Sequence, residues 1–347
     1  MSKKNIKKVL IMAGGTGGHI FPGIALAEAF SAKNITVNWL GNTNSMEAKL
    51  VPDHHIAFYS ISINALRGKG LLQKLKFPFN LLSAIFQSRK IIKDLKPDLI
   101  ISMGGYVAGP GGLAAKLCGI PLIIHEQNRI AGMTNKFLAK FAAKIFTGFP
   151  DVLPKGIFTG NPIRAEIESI PAKISSSSSS KINLLIIGGS RGAKIFNTII
   201  PDAIKLLPQD IIPNIFHQTG QHSSADYKNI PAETSEFINN IAEKYTWADV
   251  IICRAGALTL AEITSVGIPA ILIPYPLAVD DHQTKNAEYL VSNHAVVLLP
   301  QAELNPKKLA GILKDLILDA DKRLTMGKNS RGLRKEHAAE KIVELLK

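Results

Sequence analysis

Two short stretches, half a chain apart, restrict what this polypeptide can fold into more than anything else in it. Val9-Leu-Ile-Met-Ala-Gly-Gly-Thr-Gly-Gly-His19 runs from an apolar segment into four glycines grouped around one threonine. Leu184-Leu-Ile-Ile-Gly-Gly-Ser-Arg-Gly192 repeats the scheme more weakly, and an amphipathic segment follows each. An apolar run that ends in glycines and continues into a helix reads as a buried strand, a tight turn and a helix N-terminus suited to phosphate. The repetition predicts two nucleotide-type α/β domains facing one cleft.

The length of 347 residues suits two such domains, each able to bury its own core. A hydrophobic content of 46% against 20% charged residues excludes a disordered chain. Charge is uneven: residues 1–170 carry 21 Lys/Arg against 9 Asp/Glu (+12), which leaves +2 of the total +14 for the rest. The positive field of the N-terminal half suits phosphates, anionic lipid or nucleic acid. Cys118 and Cys253 stand far apart in apolar surroundings and read as buried thiols. Val9–Ala13 is too short an apolar run for a signal peptide, and no stretch approaches the roughly 18–20 residues of a membrane span. A cytoplasmic protein is expected.

Near-continuous apolar runs at Lys8–Ala13, Thr36–Leu40, Phe58–Ile61, Leu99–Met103, Leu122–His125 and Lys144–Phe146 read as parallel strands covered on both faces. Helical spacing lies between them, as in Ile24–Phe30 and Leu81–Leu95. The second half restarts with expected strands at Ile182–Ile187, Ile212–Phe216, Val250–Cys253, Ala270–Ile273 and Ala295–Leu299. Asp98-Leu-Ile-Ile with Gly119-Ile-Pro121 is echoed by Asp249-Val-Ile-Ile with Gly267-Ile-Pro269, a repetition of βαβ architecture. The join is expected at Thr159-Gly-Asn-Pro-Ile-Arg164, giving domains 1–163 and 164–333, with a last helix at about 334–347 returning to the first. Ser175–Ser180 reads as a flexible loop.

In the first glycine turn the spacing departs from G-x-G-x-x-G, and the second strand ends in Trp39-Leu-Gly41 without an acidic ribose ligand, which disfavours a dinucleotide. His19 opens the following helix, where an imidazole suits proton transfer from a substrate hydroxyl. His125-Glu-Gln-Asn-Arg129 follows another strand end, where ligands of α/β sheets bind. Arg254-Ala-Gly-Ala-Leu-Thr-Leu-Ala-Glu262 repeats strand end, glycine turn and helix start; Glu262, one to two turns into the helix, is able to accept hydrogen bonds from paired ribose hydroxyls, but by its residues alone it reads first as an ordinary helix-surface glutamate. Asp280-Asp-His282 offers too few donors for an oxygen-ligand metal site. The one Asp-x-Asp, Asp319-Ala-Asp321, is far in sequence from any glycine turn, so leaving-group charge is expected to fall on helix N-termini and arginine. The stretch Leu66–Phe79 with Leu81, Leu82, Phe86, Arg89 and Lys90 mixes bulky apolar and basic residues, as a surface dipping into an anionic leaflet does. Ordinary helix packing is the alternative. No recognised module supports nucleic-acid binding.

Eight ordered motifs complete the reading: Gly14-Gly-Thr-Gly-Gly-His19, Ile63-Asn-Ala-Leu-Arg-Gly-Lys-Gly70, Gly104-Gly-Tyr106, His125-Glu-Gln-Asn128, Thr159-Gly-Asn-Pro162, Gly188-Gly-Ser190, Cys253-Arg-Ala-Gly-Ala-Leu-Thr259 and Asp281-His-Gln-Thr-Lys-Asn-Ala287. Together they resemble the MurG family, bacterial N-acetylglucosaminyltransferases that convert lipid I to lipid II in peptidoglycan synthesis. The resemblance spans nearly the whole chain and implies an α/β protein of GT-B architecture, two Rossmann-like domains with parallel sheets facing a central cleft. It also implies UDP-GlcNAc as donor, held mainly by the C-terminal domain, lipid I as acceptor and a peripheral place on the cytoplasmic face of the inner membrane.

The same resemblance implies roles for individual residues. Ser190 contacts the diphosphate; Ala257, Leu258 and Thr259 line the nucleotide-sugar pocket; Glu262 holds the ribose, Ile238 lies beside the uracil and Gln283 contacts the sugar. Thr16, Gly17, Gly18, Asn128 and Arg164 complete the donor contacts, and Gly14, Gly15, Gly104, Gly105 and Tyr106 face the acceptor. His19 is the leading catalytic base and Glu126 the second. Arg191 departs from the family, which often has Gln or Leu there. No metal site or required cofactor is implied, and a divalent cation enters at most as a non-essential aid. The alternative activity on this architecture is UDP-GlcNAc 2-epimerase; a nucleotide-sugar sensor without chemistry is the non-enzymatic one.

Overall fold

A computed structural model describes residues 6–63, 71–172, 181–189 and 192–347, without the side chains of residues 71–76. The expectations placed on Ser190, Arg191, residues 64–70 and Ser175–Ser180 lie outside the described residues. The chain divides into two compact units, Met1–Arg164 with His337–Lys347, and Ala165–Glu336.

Unit 1 is a seven-stranded parallel sheet: β1 (Lys8–Ala13), β2 (Thr36–Asn42), β3 (Ala57–Ile61), β4 (Leu99–Gly104), β5 (Leu122–Glu126), β6 (Lys144–Thr147) and β7 (Gly156–Phe158), in the order 3-2-1-4-5-6-7. Its helices are α1 (Gly17–Ser31), α2 (Met46–Asp53), α3 (Leu71–Leu95), α4 (Ala108–Leu117) and α5 (Met133–Leu138). Alternate residues of β1 enter opposite cores. Val9, Ile11 and Ala13 pack with α1 and α2, while Leu10 and Met12 pack with α3, α4 and α5. Both faces are therefore apolar, which is why the strand reads as an unbroken run.

Unit 2 is a six-stranded parallel sheet of β8 (Asn183–Ile187), β9 (Asn214–Gln218), β10 (Ala232–Ser235), β11 (Val250–Cys253), β12 (Ala270–Leu272) and β13 (Val296–Leu298), in the order 10-9-8-11-12-13. Its helices are α6 (Ala165–Glu168), α7 (Lys194–Lys205), α8 (Ile241–Trp247), α9 (Ala257–Val266), α10 (His282–Val291), α11 (Pro306–Leu318) and α12 (Ala320–Gly332). Phe196, Ile200 and Ile204 of α7 and Leu309, Leu313 and Leu316 of α11 cover one face.

The last helix, α13 (Ala338–Leu346), belongs to unit 1, where Ile342 and Val343 are buried beside Ile20, Ile24 and Phe30 of α1. A helix pressed between a sheet and a second helix is apolar on most sides, as α1 is. Burying each large aliphatic side chain contributes about 1.5–3 kcal/mol.

Two strands were not legible as apolar runs. Gly156–Phe158 and Ala232–Ser235 each lie at one edge of their sheet and are exposed or half-buried throughout. With no fully buried residue in either, the signal of a strand covered on both faces is missing there. The expected Ile212–Phe216 is displaced to Asn214–Gln218, because Pro213 donates no N–H and pairing begins after it.

Candidate functional site

In each sheet the strand order reverses direction beside the first strand, between β1 and β4 in unit 1 and between β8 and β11 in unit 2. At such a reversal the crossover helices leave on opposite faces, and the carboxyl ends of the two central strands open a crevice. The glycine motifs fall on these ends. Gly14–Gly18 follows β1 and Gly104-Gly105 ends β4; Gly188-Gly189 follows β8 and Gly256 follows β11.

In unit 1 the turn is tight because two loops nearly touch. A Cβ at Gly105, whose φ is +83°, would lie 2.3 Å from the Gly14 carbonyl oxygen. No other residue type fits there. The turn is held from beneath by Glu47, fully buried, which accepts hydrogen bonds from Gly15 N (3.3 Å) and Asn42 N (3.1 Å). Asn42 Nδ2 in turn donates to the Tyr106 hydroxyl (3.3 Å), whose pKa is raised by burial and by the Glu47 charge. Thr16, at the N-cap of α1, makes no side-chain capping bond, and Thr16 and Gly18 are exposed. The helix thus offers its N-terminal dipole without an internal anion to satisfy it. Arg164, the last residue of the unit's main segment, stacks on the Phe21 ring of the same helix (5.3 Å).

His19 is half-buried, and its Nδ1 lies 3.0 Å from Gln127 Oε1. Gln127 Nε2 lies 3.1 Å from His125 Nδ1 and donates to the His125 carbonyl (3.2 Å); His125 Nε2 lies 3.0 Å from the Gly160 carbonyl. Burial lowers the His125 pKa to about 4. Glu126 is placed differently from a base awaiting a proton. Its Oε1 accepts from Asn128 N (3.0 Å) and Nδ2 (3.4 Å), and its Oε2 from Gly132 N (3.1 Å) and Asn135 Nδ2 (2.9 Å). The carboxylate is the hub of the loop after β5, and Asn128 is one of its spokes.

In unit 2 the N-cap of α9, Gly256, makes no side-chain capping bond, and Ala257, Leu258 and Thr259 form the first turn, the end of a helix whose dipole favours an anion. Glu262, one turn further, is 5% exposed and accepts a 2.9 Å hydrogen bond from the Tyr245 hydroxyl of α8. Arg254 Nη1 donates to the carbonyls of Ile273 (3.0 Å) and Pro274 (3.1 Å) and stacks on Phe196 (4.6 Å), tying the ends of β11 and β12 together. Its burial lowers its pKa to about 10. Gln283 Oε1 accepts from Tyr275 N (2.9 Å), which orients its amide, and buried Asn286 donates to the Ala255 carbonyl (3.3 Å). Ile238 is buried after β10. Of the polar loop, His282 Nδ1 donates to Val279 O (2.7 Å) and Thr284 Oγ1 to Asp281 Oδ1 (2.7 Å), both serving the start of α10. Asp319 caps α12 by accepting from Lys322 N (2.8 Å).

Sequence reasoning did not single out Glu47, Asn135 or Tyr245, and it quoted Gln127 without a role. Glu47 and Tyr245 sit on short helices, where one carboxylate or phenol looks like any surface residue. Their partners are 32 and 17 residues away.

The profile of the glycosyltransferase family 28 N-terminal domain matches residues 9–147, and that of the family 28 C-terminal domain matches residues 183–346. The UDP-N-acetylglucosamine--N-acetylmuramyl-(pentapeptide) pyrophosphoryl-undecaprenol N-acetylglucosamine transferase of Pseudomonas savastanoi is 44% identical over 346 residues, covering 97% of each chain. The crystal structure of MurG from Acinetobacter baumannii superposes with a TM-score of 0.83 at 38% identity, covering 98% of this chain and 99% of that one. A putative UDP-N-acetylglucosamine 2-epimerase from Listeria monocytogenes, 11% identical with a TM-score of 0.67 over 98% of this chain and 95% of its own, shares the fold alone. The two Rossmann-like units are those of a GT-B glycosyltransferase.

Each unit buries a neutral histidine, His125 in unit 1 and His217 in unit 2, and burial lowers both pKa values to about 4. The unfolded chain titrates these groups near 6.5, so between about pH 6.5 and 4 it binds protons that the native state refuses. The stabilisation is complete above that window and is lost as pH falls through it, by at most about 3 kcal/mol per histidine. Urea unfolding midpoints should therefore drop between pH 7 and pH 4.5. Midpoints unchanged across that range contradict the assignment.

Proposed function

The chain belongs to glycosyltransferase family 28, and from that premise we propose that it moves N-acetylglucosamine from UDP-GlcNAc to the C4 hydroxyl of MurNAc in lipid I, with inversion, giving lipid II. One observation carries the reading. A half-buried imidazole stands beside the glycine turn at the switch point of unit 1, while the switch point of unit 2 offers an uncapped helix start and, one turn on, a buried carboxylate.

His19 Nε2 takes the proton of the C4 hydroxyl as that oxygen attacks the anomeric carbon. The bond from that carbon to the diphosphate breaks, and the pair of electrons leaves with UDP. Helix N-termini meet the charge developing on the leaving group, a stabilisation that needs no reorganisation during the reaction. Within unit 2, Ser190 and the start of α9, with Ala257, Leu258 and Thr259, hold the diphosphate and sugar. Glu262, held by Tyr245, accepts from the ribose hydroxyls; the Gln283 amide serves the sugar and Ile238 packs on the uracil. Thr16, Gly17, Gly18, Asn128 and Arg164 add donor contacts, and Gly14, Gly15, Gly104, Gly105 and Tyr106 shape the acceptor side. Glu126 keeps the loop of Asn128 in place.

The acceptor is a lipid, and the surface of unit 1 supports a peripheral membrane site. Among the described residues no helix is long and apolar enough to cross a membrane. On α3, Phe79, Leu82 and Phe86 are 74%, 53% and 66% exposed at helical spacing, and the same stripe continues through Arg89, Lys90 and Lys93. The layer of α3, α4 and α5 also exposes Leu117, Met133 and Phe137 beside Lys116, Lys136 and Lys140. Apolar tips rimmed by lysine suit an anionic leaflet. We place the enzyme on the cytoplasmic face of the inner membrane.

Two experiments test these assignments. UDP release from UDP-GlcNAc should require a lipid I analogue, and His19→Ala should lower it by about 100-fold or more. UDP release of normal rate in that variant contradicts the proton acceptor, and conversion of the donor to a 2-epimer without acceptor contradicts the transfer itself. The pair Phe79→Ser and Phe86→Ser should cut co-sedimentation with phosphatidylglycerol vesicles by about tenfold or more, since each aromatic ring loses on the order of 1.5–3 kcal/mol of burial. Unchanged co-sedimentation rules out this surface.

A further inference from the structure

Two side chains link His19 to a backbone carbonyl in an order that fixes where every proton lies. The carbonyl of Gly160 only accepts, so His125 Nε2, 3.0 Å away, carries its proton. His125 is fully buried and held neutral, so its Nδ1 is left with a lone pair. That lone pair demands a donor, and Gln127 Nε2 is 3.1 Å from it. The second hydrogen of the same amide nitrogen goes to the His125 carbonyl at 3.2 Å. Two acceptors therefore identify the amide nitrogen independently, and turning the amide over would set its oxygen against both of them. Gln127 is 1% exposed, so no water relieves such a clash. What remains for His19 is the amide oxygen, 3.0 Å from Nδ1. An oxygen acceptor there requires that His19 Nδ1 bear a proton.

From this wiring we infer that Gln127 is a positioning residue, seated by His125, which holds His19 as the Nδ1–H tautomer with Nε2 unprotonated and free to take a substrate proton. The inference deepens the reading of His19 as proton acceptor and rests on it. A free histidine side chain prefers the opposite tautomer, with the proton on Nε2, which has no lone pair to offer; the amide oxygen reverses that preference before substrate arrives. The network also tolerates turnover. When Nε2 takes the hydroxyl proton, the imidazolium keeps its Nδ1–H bond to the amide oxygen, and neither Gln127 nor His125 changes protonation.

The ring's seat is shaped by the neighbouring strand end as well. Gly104 has φ +96°, and a Cβ there would stand 3.2 Å from both Cε1 and Nδ1 of His19, so the imidazole lies flush against a residue without a side chain. Asn135 Nδ2 donates to the His125 carbonyl (3.3 Å) and to Glu126 Oε2, joining the relay to the carboxylate hub.

Nitrogen-15 NMR of the histidine rings in the intact protein reads the tautomers directly, with the His19 signals identified by their loss in His19→Ala. Above the titration range His19 should show a protonated Nδ1 and a bare Nε2, and His125 the reverse. A His19 ring protonated on Nε2, or a His125 ring protonated on Nδ1, overturns the proposal without any variant. Gln127→Ala should return His19 to the Nε2–H form and lower kcat by about 10- to 100-fold with the KM for UDP-GlcNAc within about twofold, as loss of an orienting partner does. A ring that stays Nδ1–H in that variant overturns the role of Gln127. If the tautomers are as expected but His19→Ala turns over normally, the proton-acceptor reading fails while the wiring stands, so the two claims are separable.

Discussion

Buried acceptors that bind backbone N–H groups hold the working edge of unit 1 together. Glycine loops lose more conformational freedom on folding than any others, and they have no side chains with which to pack. Here each loop is tied to a polar group beneath it. Glu47 holds Gly15 and Asn42, and Glu126 holds Asn128, Gly132 and Asn135. A carboxylate that accepts several N–H bonds in a low-dielectric interior is a strong anchor, and removing it would strand all of its donors at once. Without these anchors the turn around Gly14 and Gly105 would not keep its close approach, and His19 would have no fixed seat.

The same anchoring separates structure from chemistry. Among the described residues, the two buried carboxylates near the glycine turn accept hydrogen bonds from the protein itself at each oxygen, and the imidazole is the proposed proton acceptor. Unit 2 repeats the division with different parts. Tyr245 holds Glu262 and Arg254 ties two strand ends, while the start of α9 has no side-chain cap. In the proposed transfer, charge in the transition state falls on backbone dipoles rather than on mobile side chains, the form of stabilisation that costs least at the moment of reaction.

How much of this was legible beforehand depends on the kind of signal. Strands buried on both faces announce themselves as apolar runs, so β1, β4, β8 and β11 and their glycine ends were readable, and with them both switch points. β7 and β10 were not, because none of their residues is buried. Polar anchors leave no local mark. Gln127 lies inside a motif that was noticed, yet its partner is 108 residues away, and nothing in the composition of His-Glu-Gln-Asn says which member faces the reaction. Glu126 shows the limit most clearly. By residue type it competes with His19 as a base, and only its four N–H donors reveal that it belongs to the loop.

Stereochemistry is the sharpest test of the proposed transfer. A transfer in which one imidazole takes the hydroxyl proton while the acceptor oxygen attacks the anomeric carbon directly is a single displacement, without a covalent glycosyl intermediate. The proton coupling constant at the anomeric position of the product reports the outcome. From the α-linked donor, a β-linked N-acetylglucosamine on the acceptor is expected. An α-linked product would mean that the acceptor oxygen does not displace UDP in one step from the opposite face, and would rule the proposed transfer out.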